Sequence, residues 1–109
     1  MRAQPPQSRA ALTRIAASFR ALSEPTRLAI LQELKQGAMT VGELVQALKL
    51  SQPAVSKQLT VLFQAGFLAR EPRGNHVFYR IQDPMVLKLC DLVCKGLNRQ
   101  AESAPVYLI

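Results

Sequence analysis

The stretch TVGELVQALKLSQPAVSKQLT, residues 40–60, reads as two short helices joined by almost nothing. Thr40 is followed three residues later by Glu43, the spacing at which a hydroxyl and a carboxylate each satisfy a first-turn amide. Val41, Leu44, Val45 and Leu48 then recur at helical spacing. Lys49-Leu50 is the whole connection. Ser51 offers the next cap, and Pro53 falls in the first turn, where a missing N–H costs nothing. This second helix, about 51–65, carries Val55, Leu59, Leu62 and Phe63, and Gly66 ends it. Two helices so closely joined form a helix-turn-helix unit.

Outward from that unit, the N-terminal side predicts two further helices. Residues 1–8, with Pro5 and Pro6, read as a flexible lead. Residues 9–22 place Leu12, Ile15, Ala16, Phe19 and Leu22 on one helical stripe. Ser23 is the expected cap of the next helix, with Pro25 in its first turn and Gly37 at its end. On the C-terminal side, His76-Val77-Phe78-Tyr79-Arg80-Ile81 is rich in strand formers and follows the turn signal Arg73-Gly74-Asn75. It predicts a two-stranded hairpin. Asp83-Pro84 restarts a helix that runs through Met85, Val86, Leu89, Leu92, Val93 and Leu97, with Pro105 as its stop. Residues 101–109 are a C-terminal tail whose last four residues are apolar. The expected architecture is mainly α (α+β): about five helices and a two-stranded wing in one domain over 9–100.

Composition restricts what such a domain does. The 109 residues suit one domain, and 49% of them are apolar. Lys plus Arg number 14 against 7 Asp plus Glu, a formal net charge of +7, which points to a polyanionic partner. No apolar run of about 18 residues exists to span a bilayer, so no membrane role is expected. Nor does the start have the apolar stretch of a signal peptide, so the expected location is the cytoplasm, where the two Cys stay reduced. There is no nucleophile–base pair, no paired acids and no glycine-rich phosphate loop, so no enzymatic activity is expected.

The second helix of the central unit has the character of a DNA-reading element. Opposite its apolar side it offers Ser51, Gln52, Ala54, Ser56, Lys57 and Thr60. These are short, polar or cationic groups near a helix N-terminus, where base edges and phosphates are met. Small residues let the helix approach the groove, Lys57 can neutralise a phosphate, and the helix N-terminus itself attracts one. The hairpin adds Arg70, Arg73 and Arg80 with Glu71 opposing. Arg73 at the tip can reach a phosphate or the minor groove, and His76 lies beside it. Each feature singly is an ordinary solvated surface. Their order along one chain is what points to duplex DNA.

Two segments resemble the ArsR/SmtB winged-helix repressors. Leu22-Ser23-Glu24-Pro25-Thr26-Arg27-Leu28-Ala29-Ile30-Leu31 is similar to their second helix. Leu50-Ser51-Gln52-Pro53-Ala54-Val55-Ser56-Lys57-Gln58-Leu59 is similar to their recognition helix. Ala65-Gly66-Phe67-Leu68, Arg73-Gly74 and Phe78-Tyr79-Arg80-Ile81 match the segment and wing that follow. The resemblance spans about Ala16 to Leu97. It implies a homodimer built on the first and last helices, a pseudo-palindromic operator, and repression relieved by an inducer. DNA binding itself needs no cofactor.

The resemblance leaves the inducer open. The cysteine-rich metal site that many members carry on the helix at about 40–48 is absent, because that segment has no Cys, His or Asp. Of the zinc ligands that others hold on the last helix, Asp83 matches the first, but Met85, Gly96 and Arg99 stand at the later positions and bind no zinc. Cys90 and Cys94 remain, four apart on one helical face. A disulfide between them would strain the helix, since Cβ atoms at this spacing lie about 6 Å apart and a disulfide needs about 4 Å. They are candidate ligands for a thiophilic inducer such as trivalent arsenic or antimony, with a third thiol coming from the other subunit. Thiol oxidation or persulfide formation is a second reading. A third makes the pair plain core residues in an inducer-free DNA-binding protein. An architectural winged helix that is never released by a ligand is the rival from outside regulation.

Overall fold

The computed structural model describes residues 8–101. The elements run α1 (Arg9–Ala21), α2 (Pro25–Leu34), β1 (Met39–Thr40), α3 (Val41–Leu48), α4 (Gln52–Gln64), β2 (Leu68–Arg73), β3 (His76–Ile81) and α5 (Met85–Gln100). This is the expected winged helix-turn-helix. The lead over 1–7, the tail over 102–109 and the stop at Pro105 lie outside the described residues. Ser8, placed in the lead by sequence, caps α1 by accepting a hydrogen bond from the Ala11 amide at 3.1 Å.

The helix ends follow local chemistry, with one correction. Thr40 and Glu43 form the reciprocal pair expected of them, at 3.2 and 2.9 Å. Ser51 accepts from the Ala54 amide at 3.3 Å. The cap of α2, however, is Glu24 and not Ser23. Pro25 is already the first helical residue, so the capping position falls on its immediate neighbour. The Thr26 amide, with the Arg27 amide and the Thr26 hydroxyl, holds the Glu24 carboxyl below its ordinary value. Ser23 turns its hydroxyl back to the Arg20 carbonyl at 2.7 Å, closing the end of α1 instead. A smaller shift occurs at α5, where Pro84 takes the cap position and Asp83 serves the Met85 amide at 2.9 Å.

The wing is a hairpin, but the sheet has three strands in the order β1-β3-β2. Arg73 pairs with His76 across the two-residue turn Gly74-Asn75, and Gly74 takes φ 61°, a left-handed conformation that glycine adopts at little cost. The unpredicted strand is Met39–Thr40, antiparallel to Tyr79 and Phe78. Two residues carry no alternation to read, and Thr40 reads as a cap, which it also is. The pairing ties the start of α3 to the wing.

The core lies where α2, α3, α4 and the sheet converge. Ile30, Leu31, Leu44, Val55, Leu59, Leu62 and Val86 are fully buried, with Leu34, Phe67, Leu68 and Tyr79 around them. Burying a side chain of this kind is worth about 1.5–3 kcal/mol. Gly66, at φ 87°, lets the chain turn after α4 so that the Phe67 amide reaches back to the Leu62 carbonyl at 3.1 Å. The apolar stripes of α1 and α5 are another matter. Leu12, Ile15 and Phe19 on α1, and Met85, Leu92 and Val93 on α5, are exposed on the single chain. Ala21 is the buried residue of α1.

Candidate nucleic-acid interface

The buried side of α4 fixes the direction of its other side. With Val55, Leu59 and Leu62 locked in the core, Ser51, Gln52, Lys57 and Thr60 are exposed, and Ala54 and Ser56 are half-buried on the flank. Gln52, Ser56 and Thr60 stand four apart on one stripe. Gln52 donates its side-chain amide to the Ser56 hydroxyl at 3.0 Å, and Thr60 donates to the Ser56 carbonyl at 3.0 Å. The stripe therefore presents ordered donors and acceptors, with the Lys57 ammonium beside them. The turn into α4 is held by Lys49 in a left-handed conformation, φ 56°, its amide bonded to the Val45 carbonyl at 2.9 Å. Thus the six residues singled out by sequence lie off the core: Ser51 is the cap of α4, Gln52, Ala54 and Ser56 follow in its first turns, and Lys57 and Thr60 continue to just past its middle.

The wing residues are less free than their exposure suggests. In the β2–β3 register Glu71 lies opposite Phe78, so Ala69, Glu71 and Arg73 share a face with Arg80, Phe78 and His76. Glu71 accepts from Arg80 on one oxygen and from Arg73, at 3.0 Å, on the other. These bonds, that from Arg80 foremost, hold its carboxyl below the ordinary value. The Arg73 guanidinium also lies 4.7 Å from the centre of the Phe78 ring. Arg70 stacks at 4.4 Å over Phe63, the penultimate residue of α4, and so joins the wing base to that helix. His76 is exposed beside the turn, and among the described residues it belongs to no group of three or more His, Cys, Asp or Glu that could hold a metal. The period-2 spacing of Glu71 and Arg73 was the available sign that one carboxylate would serve two arginines.

Cys90 is buried and Cys94 half-buried, both as free thiols. They border a groove of about 700 Å³ between α5 and the α1–α2 corner, along with Phe19, Leu22, Leu28 and Leu97. Burial, then the neighbouring Cys94, pushes the Cys90 thiol up, so it keeps its proton at neutral pH. Among the described residues no group of three or more His, Cys, Asp or Glu is placed to hold a metal ion. Two thiols are therefore what this chain offers a soft ion. Asp91 and Lys95 pair at 2.9 Å on the solvent side of the same helix.

Sequence reasoning missed Arg27. From α2 its guanidinium reaches the Gln58 side-chain oxygen on α4 at 2.6 Å and the Ala21 carbonyl at 2.6 Å. A bond across 31 positions has no local signature.

Known proteins are similar to this chain in sequence and fold. The model of a family described as "Bacterial regulatory protein, arsR family" matches residues 24–70. The transcriptional repressor SdpR of Bacillus subtilis is 36% identical over 81 residues, which is 74% of this chain and 90% of that protein. The solution structure of the homodimeric winged helix-turn-helix DNA-binding domain Mb0332 of Mycobacterium bovis superposes with a TM-score of 0.78 at 26% identity, covering 100% of both chains. The crystal structure of AntR, an antimony-specific transcriptional repressor, superposes with a TM-score of 0.77 at 28% identity over 94% of each chain.

Proposed function

Because the chain belongs to the arsR family of bacterial regulatory proteins, we propose that it is a transcriptional repressor that binds a pseudo-palindromic duplex operator as a homodimer. A chain of this family is a regulator and not an enzyme. The observation that carries the reading is the α4 face. A helix capped by Ser51 and anchored by Val55, Leu59 and Leu62 turns Gln52, Ser56, Lys57 and Thr60 away from the core. Ala54 gives that face a close approach, and Arg73 and His76 extend it along the wing. No helix among the described residues is long and apolar enough to cross a membrane. The exposed stripes of α1 and α5 supply the dimer contact, as large apolar patches do. Two-fold symmetry then sets two α4 helices in successive major grooves, about 34 Å apart.

The test is fluorescence anisotropy on the DNA upstream of the coding region, against a random duplex of equal length. Preference for the upstream DNA supports the reading, and equal binding at every salt concentration overturns it. Lys57→Ala should weaken binding to both duplexes and reduce the slope of log K against log salt by about 0.9, one phosphate contact. An unchanged slope removes Lys57 from the phosphate contacts.

Glu71→Gln should act in the opposite sense. Its lowered pKa means that the pairing persists above the carboxylate range and fails only as pH falls through the lowered value. At neutral pH Glu71 thus contests Arg73 and Arg80 with any phosphate. Freed of that competition, the variant should bind DNA several-fold more tightly, with a slope steeper by up to about 0.9 per arginine released.

The inducer in this proposal is a thiophilic ion, trivalent arsenic or antimony foremost, held by Cys90 and Cys94 with a third thiol from the partner subunit. The paired thiols on one groove wall support it, as does the likeness to an antimony-specific repressor. Binding re-angles the dimer, and a coupling of about 1–3 kcal/mol changes occupancy 5- to 150-fold. Wild-type protein should release DNA in arsenite or antimonite, and Cys90→Ser with Cys94→Ser should not. The burial of Cys90 favours a second reading, an inducer-free regulator with the pair as packing. Equal DNA affinity of both proteins with and without the ions, and with and without peroxide or sulfane sulfur, would favour it over thiol sensing.

A further inference from the structure

Arg27 binds three acceptors that belong to two other helices. Its Nε donates to the Ala21 carbonyl at 2.6 Å, one Nη to the Arg20 carbonyl at 3.2 Å, and the other Nη to the Gln58 side-chain oxygen at 2.6 Å. The last carbonyls of a helix have no partner within it, and a cation placed there also suits the negative end of the helix dipole. Arg27 therefore caps α1 from outside. A guanidinium is planar with donors in a fixed fork, so the three bonds share one geometry. Displacing the end of α1 against α4 must break at least one of them.

The clasp matters because α1 is lightly buried on the single chain. α1 buries Ala21, at the very turn that Arg27 grips, and leaves Leu12, Ile15 and Phe19 exposed. Gln58 is half-buried on α4, between Lys57 on the exposed side and Leu59 in the core. The same corner, Leu22 to Pro25, borders the groove that Cys90 and Cys94 line. One side chain thus joins the helix offered to a partner subunit to the helix offered to DNA.

We propose that Arg27 is a positioning residue which, through Gln58, sets the angle of α4 against α1 and so the separation of the two recognition helices in the dimer. It touches no DNA. The inference rests on α4 as the DNA-reading helix and α1 in the dimer contact, and is independent of thiol sensing.

The experiment uses the full chain and a set of operators in which the gap between half-sites is lengthened or shortened by one or two base pairs. Anisotropy gives the affinity for each, and sedimentation gives the oligomeric state. Wild-type protein should discriminate sharply among the spacings. Gln58→Met, which keeps the size and removes the acceptor, should lower affinity for the best spacing about tenfold, as expected when a hydrogen bond to a charged group is lost. Its affinity for a random duplex should stay within about twofold, since phosphate contacts are intact. Its preference among spacings should flatten. Gln58→Glu, which restores an acceptor for Arg27, should recover the preference despite weaker overall binding. A direct base contact by Gln58 would instead weaken every spacing equally, and that result overturns the proposal. So does an unchanged preference in Gln58→Met. A wild-type protein with no favoured sequence or spacing overturns the reading of α4 in the dimer and the proposal with it. Should Gln58→Met fold poorly, Arg27→Lys takes its place, since an ammonium can serve the α1 carbonyls but not span all three acceptors.

Discussion

Replacing Leu92 by Asp is expected to give a folded monomer whose affinity for a two-half-site operator is lower by about two orders of magnitude or more. Leu92 is 65% exposed on the single chain, so the substitution removes no packing from the core. Its neighbours at helical spacing, Lys88 and Lys95, tolerate a carboxylate. In the proposed dimer the same side chain would lie in the contact between α5 stripes, where two unpaired carboxylates would have to be desolvated. The loss on DNA is large because the second half-site is bound at the effective concentration set by the first, and a monomer forfeits that. Sedimentation equilibrium with an anisotropy titration checks both parts. Thermal unfolding adds a third sign: Tm should depend on protein concentration in the wild type and not in the variant. A variant that stays dimeric would remove the α5 stripe from the interface.

Replacing Leu59 by Ala is expected to lower the stability of the fold by about 2–5 kcal/mol. The residue is fully buried on the inner side of α4, within the cluster that includes Leu31, Leu44 and Leu62. The loss combines removed apolar contact with a cavity that a close-packed helix junction fills only in part. Against a total stability of about 5–15 kcal/mol for a domain, it is a substantial fraction. Urea denaturation at fixed protein concentration measures it as a lower midpoint at similar slope. The DNA consequence differs in kind from that of Lys57→Ala. Binding should fall with the folded fraction, and the salt slope of the folded remainder should stay as in the wild type.

What could be read from the chain was local. Thr40 with Glu43, Ser51 with Pro53, and Gly74-Asn75 each act within a few residues, and each sits where expected. Ser23 is the expected cap of α2, but the cap falls on Glu24 because Pro25 is already the first helical residue. β1 is too short to alternate and exists because Tyr79 and Phe78 supply its partners. The stripes of α1 and α5 have the spacing of core stripes, and only the packed chain separates a face buried in itself from one left for a partner. The Arg27–Gln58 bond and the groove beside Cys90 depend on tertiary placement, which spacing does not encode.

The paired wing has a kinetic consequence. Glu71 bonds both Arg73 and Arg80 on the free chain, so part of their rotamer freedom is already lost before any nucleic acid arrives. Encounter becomes an exchange of one anion for another around arginines already in place. On the proposed reading, at a mismatched sequence, where α4 gains nothing, the carboxylate is at hand to recapture both arginines. In the proposed complex Glu71 would therefore trade residence time for search speed: it would shorten each futile stop along the genome, while a matched site would still hold through α4.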